Sequence, residues 1–152
     1  RAETIEVIDE AYNANPTSVA AALAVLAAHE VKDGVGRIAR GRRLAVLGDM
    51  LELGPQEAQL HAGLAGLPEL QTLDLVLCVG ERMRALDAAL PPALRGGWFP
   101  DAPACADRLA KLVDAGDVVM VKGSNGLRMG RIVEKLKALG QARAADRAAE
   151  DG

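Results

Sequence analysis

Three uninterrupted apolar runs constrain this chain more than anything else in it: LAVL at 44–47, LVLC at 75–78 and VVMV at 118–121. A strand with one wet face alternates apolar and polar residues, and these do not alternate. They read as strands buried on both faces, which is the habit of parallel sheets covered by helices on either side. The runs are separated by longer stretches with helical composition, and that alternation is the pattern of a β/α layered domain. Strands are expected at Ile5–Ile8, Arg43–Leu47, Leu73–Val79, weakly at Trp98–Phe99, and at Asp117–Val121. Helices are expected at Pro16–Glu30, Pro55–Leu67, Glu81–Leu90, Pro103–Ala115 and Leu127–Leu139. The fold class is therefore α/β: a Rossmann-like three-layer domain with a mostly parallel sheet of five to six strands flanked by helices.

A chain of 152 residues suits one domain, large enough to bury about 70% of the surface its unfolded form exposes. Half the residues are hydrophobic but only 2% are aromatic, so the core must be built from Ala, Leu, Val and Ile. A net charge of −3 and a pI near 5.4 argue against a nucleic-acid partner or an acidic membrane surface, either of which wants a basic face. The local cluster Arg37, Arg40, Arg42 and Arg43 reads as a solvated loop. Cys78 and Cys105 form no disulfide framework and read as small buried hydrophobes of a reducing cytosol. No apolar run approaches the roughly 20 residues needed to span a bilayer, and no signal peptide is visible, so the expected location is cytoplasmic. The opening RAETIEVID already heads into a strand and reads as a piece of a longer protein. Residues 1–140 are expected to form the domain, with 141–152 a frayed or disordered tail.

Open parallel sheets bind ligands in a crevice at the carboxyl ends of their strands. Here those ends carry the least ordinary residues. After the first strand comes DEAYNANPTS. Asn15 suits a helix N-cap and Pro16 a first helical position, which accounts for both as structure. Asp9, Glu10, Tyr12 and Asn13 are left over. Successive side chains of a strand point to opposite sides, so one of Asp9 and Glu10 faces the crevice, where a carboxylate can accept from ribose hydroxyls or organise a cation. GDMLELG follows the second strand: Gly48 suits a tight turn, and Asp49 and Glu52 set carboxylates beside it. His61 falls inside the next helix, where a lone histidine is more often packed than catalytic. KGSNG follows the last long strand. Lys122, Gly123 and Ser124 before a helix start make a ready site for a carboxylate or phosphate. Neither a Walker A loop nor a GxGxxG fingerprint occurs, so a self-sufficient nucleotide site is not expected.

IDEAYNANPTS at 8–18, LAVLGDMLELG at 44–54 with His61 following, and VVMVKGSNGLRM at 118–129 together resemble the C-terminal domain of a Mur ligase. The likeness spans nearly the whole chain to about Gly140. It is greatest to the members that join D-Ala-D-Ala to UDP-N-acetylmuramoyl-tripeptide in bacterial cell-wall precursor synthesis. The resemblance implies an ATP- and Mg2+-dependent amide ligase of three domains, of which this chain would be the substrate-closing third. The missing N-terminal and central domains would supply the UDP-sugar site, the P-loop and most magnesium ligands. By position, the resemblance places Asp9, Glu10, Tyr12, Asn13 and Asn15 toward the nucleotide. It places Asp49, Lys122, Gly123 and Ser124 around the incoming dipeptide. His61 fits the pattern without an assigned role, and Arg1 stays unassigned. No catalytic or metal-ligating residue is expected in this fragment alone, which is expected to fold without turning over or holding a cofactor. The rival reading is a non-catalytic α/β module that binds a small anion or a protein partner.

Overall fold

The computed structural model of the chain describes residues 5–11, 14–31, 33, 40–124 and 127–139. Tyr12, Asn13, Arg1, Arg37 and the expected 141–152 tail lie outside the described residues.

Five strands form one sheet: β1 (Glu6–Glu10), β2 (Arg43–Gly48), β3 (Leu75–Val79), β4 (Arg95–Phe99) and β5 (Val118–Lys122). Their order is β1-β5-β2-β3-β4, and every pairing is parallel. The helices are α1 (Pro16–Ala28), α2 (Glu57–Gly63), α3 (Arg84–Ala89) and α4 (Ala102–Leu112), with a fifth, α5, over 130–139. Side chains alternate across each central strand into two separate cores. Ala45, Leu47, Cys78 and Met120 meet Leu23 and Leu26 of α1 and Leu86 of α3 on one face. Leu44, Val46, Leu77 and Val121 meet Leu109 of α4 and Ile132 and Leu136 of α5 on the other. The division follows from direction of travel. Under the right-handed crossover rule, connections advancing one way along a sheet cover one face and the return connection covers the other.

Element boundaries differ from expectation where local chemistry intervenes. The expected helix Pro55–Leu67 is broken into a 3-10 turn at Gly54–Gln56, α2, and a second 3-10 turn at Leu64–Gly66; Gly63 and Gly66 are poor helix formers and Pro68 follows. The expected helix Leu127–Leu139 begins only at 130, because Arg128 sits in the left-handed region at φ 55°, which a right-handed helix cannot include. Arg42 and Arg43 correct the solvated-loop reading. Both are partly buried at the amino ends of the strands. Arg42 donates from Nη2 to Asp117 Oδ2 at 2.8 Å and to the Leu112 carbonyl at 2.7 Å. Its backbone N–H reaches Asp117 Oδ1 at 3.0 Å. Arg43 grips the carbonyl of His29 at the end of α1 with two N–H groups, at 2.9 and 2.7 Å. These pairs tie the rim opposite the polar motifs.

Candidate functional site

Because every strand runs the same way, Glu10, Gly48, Gly80, Pro100 and Lys122–Ser124 all stand on one rim. β5 lies between β1 and β2, yet its following helix covers the opposite face from theirs. Divergence of that kind opens a crevice at the carboxyl end of the strand. A similar divergence between β3 and β4 is closed: Trp98 Nε1 donates to the Gly80 carbonyl at 2.6 Å and Gly80 N–H to the Phe99 carbonyl at 2.9 Å.

The crevice at β5 holds groups with unused bonding capacity. Lys122 is 6% exposed, and a buried ammonium ordinarily has a close anion. Its ionic neighbour is Glu10, the residue in register with it on β1, and Oε1 is 3.9 Å from Nζ, too far for a hydrogen bond. Ser124 Oγ is buried with no hydrogen-bond partner. Glu10, not Asp9, is the carboxylate aimed here. Asp9 turns its Oδ1 back onto the Ala11 N–H at 3.1 Å.

The other candidate residues are committed within the chain. Asn15 caps α1: its Oδ1 accepts from Ser18 N–H at 2.8 Å and Ser18 Oγ accepts from Asn15 N–H at 3.0 Å. Only its amide NH2 is left to face a ligand. Gly123 was expected to let a ligand approach the backbone. A Cβ there would instead lie 2.5 Å from Met129 Cγ, so the missing side chain makes room for Met129 under α5. Asp49 is 2% exposed, and its carboxylate is wrapped by the β3–α3 turn. Oδ1 accepts from Met83 N–H at 2.9 Å and Oδ2 lies 3.4 Å from Arg82 Nη1. Gly80 has φ +104°, and a Cβ on it would come within 2.5 Å of the Asp49 carboxylate. Asp49 therefore shapes the rim rather than presenting itself to solvent.

His61 is fully buried and holds the same loop from the side of α2. Its Nε2 accepts from Met50 N–H at 2.9 Å, and Nδ1 lies 2.6 Å from the Glu57 carbonyl. A backbone N–H can only donate, so Nε2 carries the lone pair and Nδ1 the proton. The role that sequence left open is thus to anchor the loop after β2. Beyond that anchor, Leu51 and Glu52 are exposed, with Glu52 in the left-handed region at φ 60°.

Residues 1–125 match the family described as "Mur ligase, glutamate ligase domain". The chain belongs to the Mur ligase family. It is 35% identical over 148 residues to the UDP-N-acetylmuramoyl-tripeptide–D-alanyl-D-alanine ligase of Mycobacterium leprae, covering 90% of this chain and 28% of the relative. It is 33% identical over 141 residues to the ligase of the same name from Escherichia coli, covering 91% and 28%. It therefore spans under a third of the length of these relatives. Among solved structures, the MurF ligase of Thermotoga maritima in complex with ADP superposes with a TM-score of 0.72 at 25% identity, over 95% of this chain and 30% of that one. A domain from a putative UDP-N-acetylmuramate:L-alanyl-gamma-D-glutamyl-diaminopimelate ligase of Haemophilus ducreyi matches with a TM-score of 0.57 at 25% identity, over 91% and 94%.

In this Mur ligase domain the residue that sequence reading missed is Arg82. It donates from Nε to Glu57 Oε2 at 2.8 Å while facing Asp49. Its guanidinium pKa is pushed further up, first by Glu57 and then by Asp49. The signal was its place in GER, two residues past the Gly80 turn. The cysteines behave as expected of buried hydrophobes. Burial, then Asp87 and Cys105, drives the Cys78 thiol far up, and burial raises Cys105 to about 12. Among the described residues, no helix is long and apolar enough to cross a membrane, and no three His, Cys, Asp or Glu side chains gather to hold a metal ion.

Proposed function

We propose that residues 1–140 are the C-terminal, substrate-closing domain of a cytoplasmic ATP-dependent ligase that joins D-Ala-D-Ala to UDP-N-acetylmuramoyl-tripeptide. Bound ATP and Mg2+, held chiefly by the N-terminal and central domains, would supply the activation of the tripeptide carboxylate. This chain's part is to bind and orient the incoming dipeptide. The observation that carries the reading is that a buried lysine and, two residues on, a buried, unpartnered serine hydroxyl both stand at the end of β5. A carboxylate placed there accepts from Lys122 Nζ and Ser124 Oγ together, which leaves the dipeptide amine directed out of the crevice toward the other domains. Holding a nucleophile in that way contributes through proximity and orientation. Glu10, Asp9 and the Asn15 amide border the nucleotide side of the same rim, and Asp49 and Gly123 form its walls.

The pocket has one wall in this chain, so the isolated domain would hold D-Ala-D-Ala at millimolar affinity or weaker, about 4 kcal/mol, and would not catalyse. The test is ATP-dependent phosphate release by the full-length polypeptide that carries this chain, given UDP-N-acetylmuramoyl-tripeptide and D-Ala-D-Ala. Substituting Lys122→Met should raise the dipeptide KM by roughly 10- to 100-fold, the value of a charge-assisted hydrogen bond. Phosphate release that responds to a single amino acid and ignores the dipeptide would overturn the reading.

A further inference from the structure

Arg82 is a rim charge, set between two carboxylates, that the dipeptide reading does not use. It stands in a cleft of about 540 Å3 between α2 and α3, lined by Glu57, Ala58, Glu81, Arg82, Arg84 and Ala85. One arm of its guanidinium bonds Glu57 at the start of α2. The other faces Asp49, at the root of the loop after β2. Among the described residues that loop has three other polar fastenings at its root: the Asp49 N–H on the Val79 carbonyl, Asp49 Oδ1 accepting from the Met83 N–H, and the Met50 N–H on His61. We propose that Arg82 is a positioning residue: by bridging Asp49 and Glu57 it holds the 49–54 loop in the place the dipeptide pocket requires.

The path from Arg82 to the pocket is short. Asp49 follows Gly48, and a Cβ built on Gly123 would lie 3.4 Å from Gly48 Cα. Leu47 is in register with Lys122 across the β2–β5 pairing. A displaced 49–54 loop therefore shifts the backbone that walls Lys122 and Ser124. Arg82 itself is 41% exposed on its side chain, so it contributes little to the core and acts through these two contacts.

This inference rests on the dipeptide reading for its catalytic arm only, and two measurements separate the two. Hydrogen exchange on the 152-residue chain reads the latch directly. Arg82→Met should speed exchange of the Met50 and Met83 amides by about fivefold, the scale of a lost ion pair with one buried partner. Arg82→Lys, which can reach one carboxylate at a time, should fall between, and Glu57→Gln should act in the same direction without touching buried Asp49. Rates within twofold of the parent at both amides, or a uniform rise throughout the sheet, would overturn the proposal. In the full-length enzyme, Arg82→Met should raise the KM for D-Ala-D-Ala and leave those for ATP and UDP-N-acetylmuramoyl-tripeptide in place. Faster loop exchange with an unmoved dipeptide KM would also overturn it. If the parent enzyme ligates no D-Ala-D-Ala, the functional reading fails, and the exchange result alone decides the latch.

Discussion

Ser124→Ala should make the chain more stable and less competent at once. The side-chain oxygen is buried without a partner, and a hydroxyl in that state pays a desolvation penalty of about 1–3 kcal/mol that nothing in the chain returns. Removing it also removes one small atom's packing, so the net gain should be near 1 kcal/mol. For a domain of this size that is about 2–4 °C in Tm. Binding shifts the other way. A ligand carboxylate that loses one neutral hydrogen bond in the crevice should bind about fivefold more weakly, roughly 1 kcal/mol. Thermal unfolding of the 152-residue chain reads the first effect, and dipeptide KM in the full-length enzyme reads the second. The Haemophilus ducreyi domain, 94% of whose solved chain corresponds to 91% of this one, supports measuring the piece by itself. A lower Tm for Ser124→Ala would mean that the hydroxyl is satisfied within the folded chain, and the reasoning that it waits for a ligand would fail.

At His61, Gln should be the mildest replacement, at about 1 kcal/mol by urea unfolding, because its amide reaches the Nε2 position and can accept from Met50 N–H; Asn reaches only the Nδ1 position and should lose about 1–3 kcal/mol for the orphaned donor, with Ala worse still. An Asn variant more stable than the Gln variant would contradict the assigned tautomer. Asp117→Asn, on the far rim, leaves a partly buried Arg42 without its anion and should lower stability by about 3–5 kcal/mol in thermal unfolding, with the dipeptide KM of the full-length enzyme unchanged. The buried thiols set an alkaline limit. Their folded pKa values are raised above the ordinary 9.0, so the folded chain keeps protons that the unfolded chain releases. Their contribution to stability should be level below pH 9 and fall above it by about 1.4 kcal/mol per pH unit for each thiol; replacing both cysteines with Ala should remove that part of the slope in pH-dependent urea titrations.

Much of this was legible in the sequence because buried parallel strands write themselves as unbroken apolar runs, and β2, β3 and β5 did so. β4 was faint for the same reason in reverse. As an edge strand reading RGGWF, it is half-covered and carries two glycines where side chains would signal burial. The crevice was legible as a place, since polar residues at carboxyl ends must gather on one rim of a parallel sheet. The division of labour within it was not. Asp49 and Lys122 look alike from sequence, each a charge just past an apolar strand. They differ only in what other segments bring to them: a turn 34 positions on wraps Asp49, while Lys122 meets one distant carboxylate. Likewise Gly123 looked like a glycine for a ligand and proved to be one for Met129, six residues on, in the turn before α5.

That contrast gives a physical criterion for where this domain ends and its pocket begins. A group saturated by its own chain has nothing left to give a ligand, and on this rim Asp49, His61 and the Asn15 oxygen are saturated. Lys122, Ser124 and Glu10 are not: Glu10 and Lys122 are in register across the β1–β5 pairing, and Ser124 follows two residues on. Folding alone recovers little of the desolvation of an ammonium 3.9 Å from the Glu10 carboxylate and of a buried hydroxyl with no partner. Under the proposed reading, an entering carboxylate recovers that desolvation. If the crevice takes a carboxylate as proposed, binding relieves this local destabilisation, and that coupling favours the occupied arrangement over the empty one.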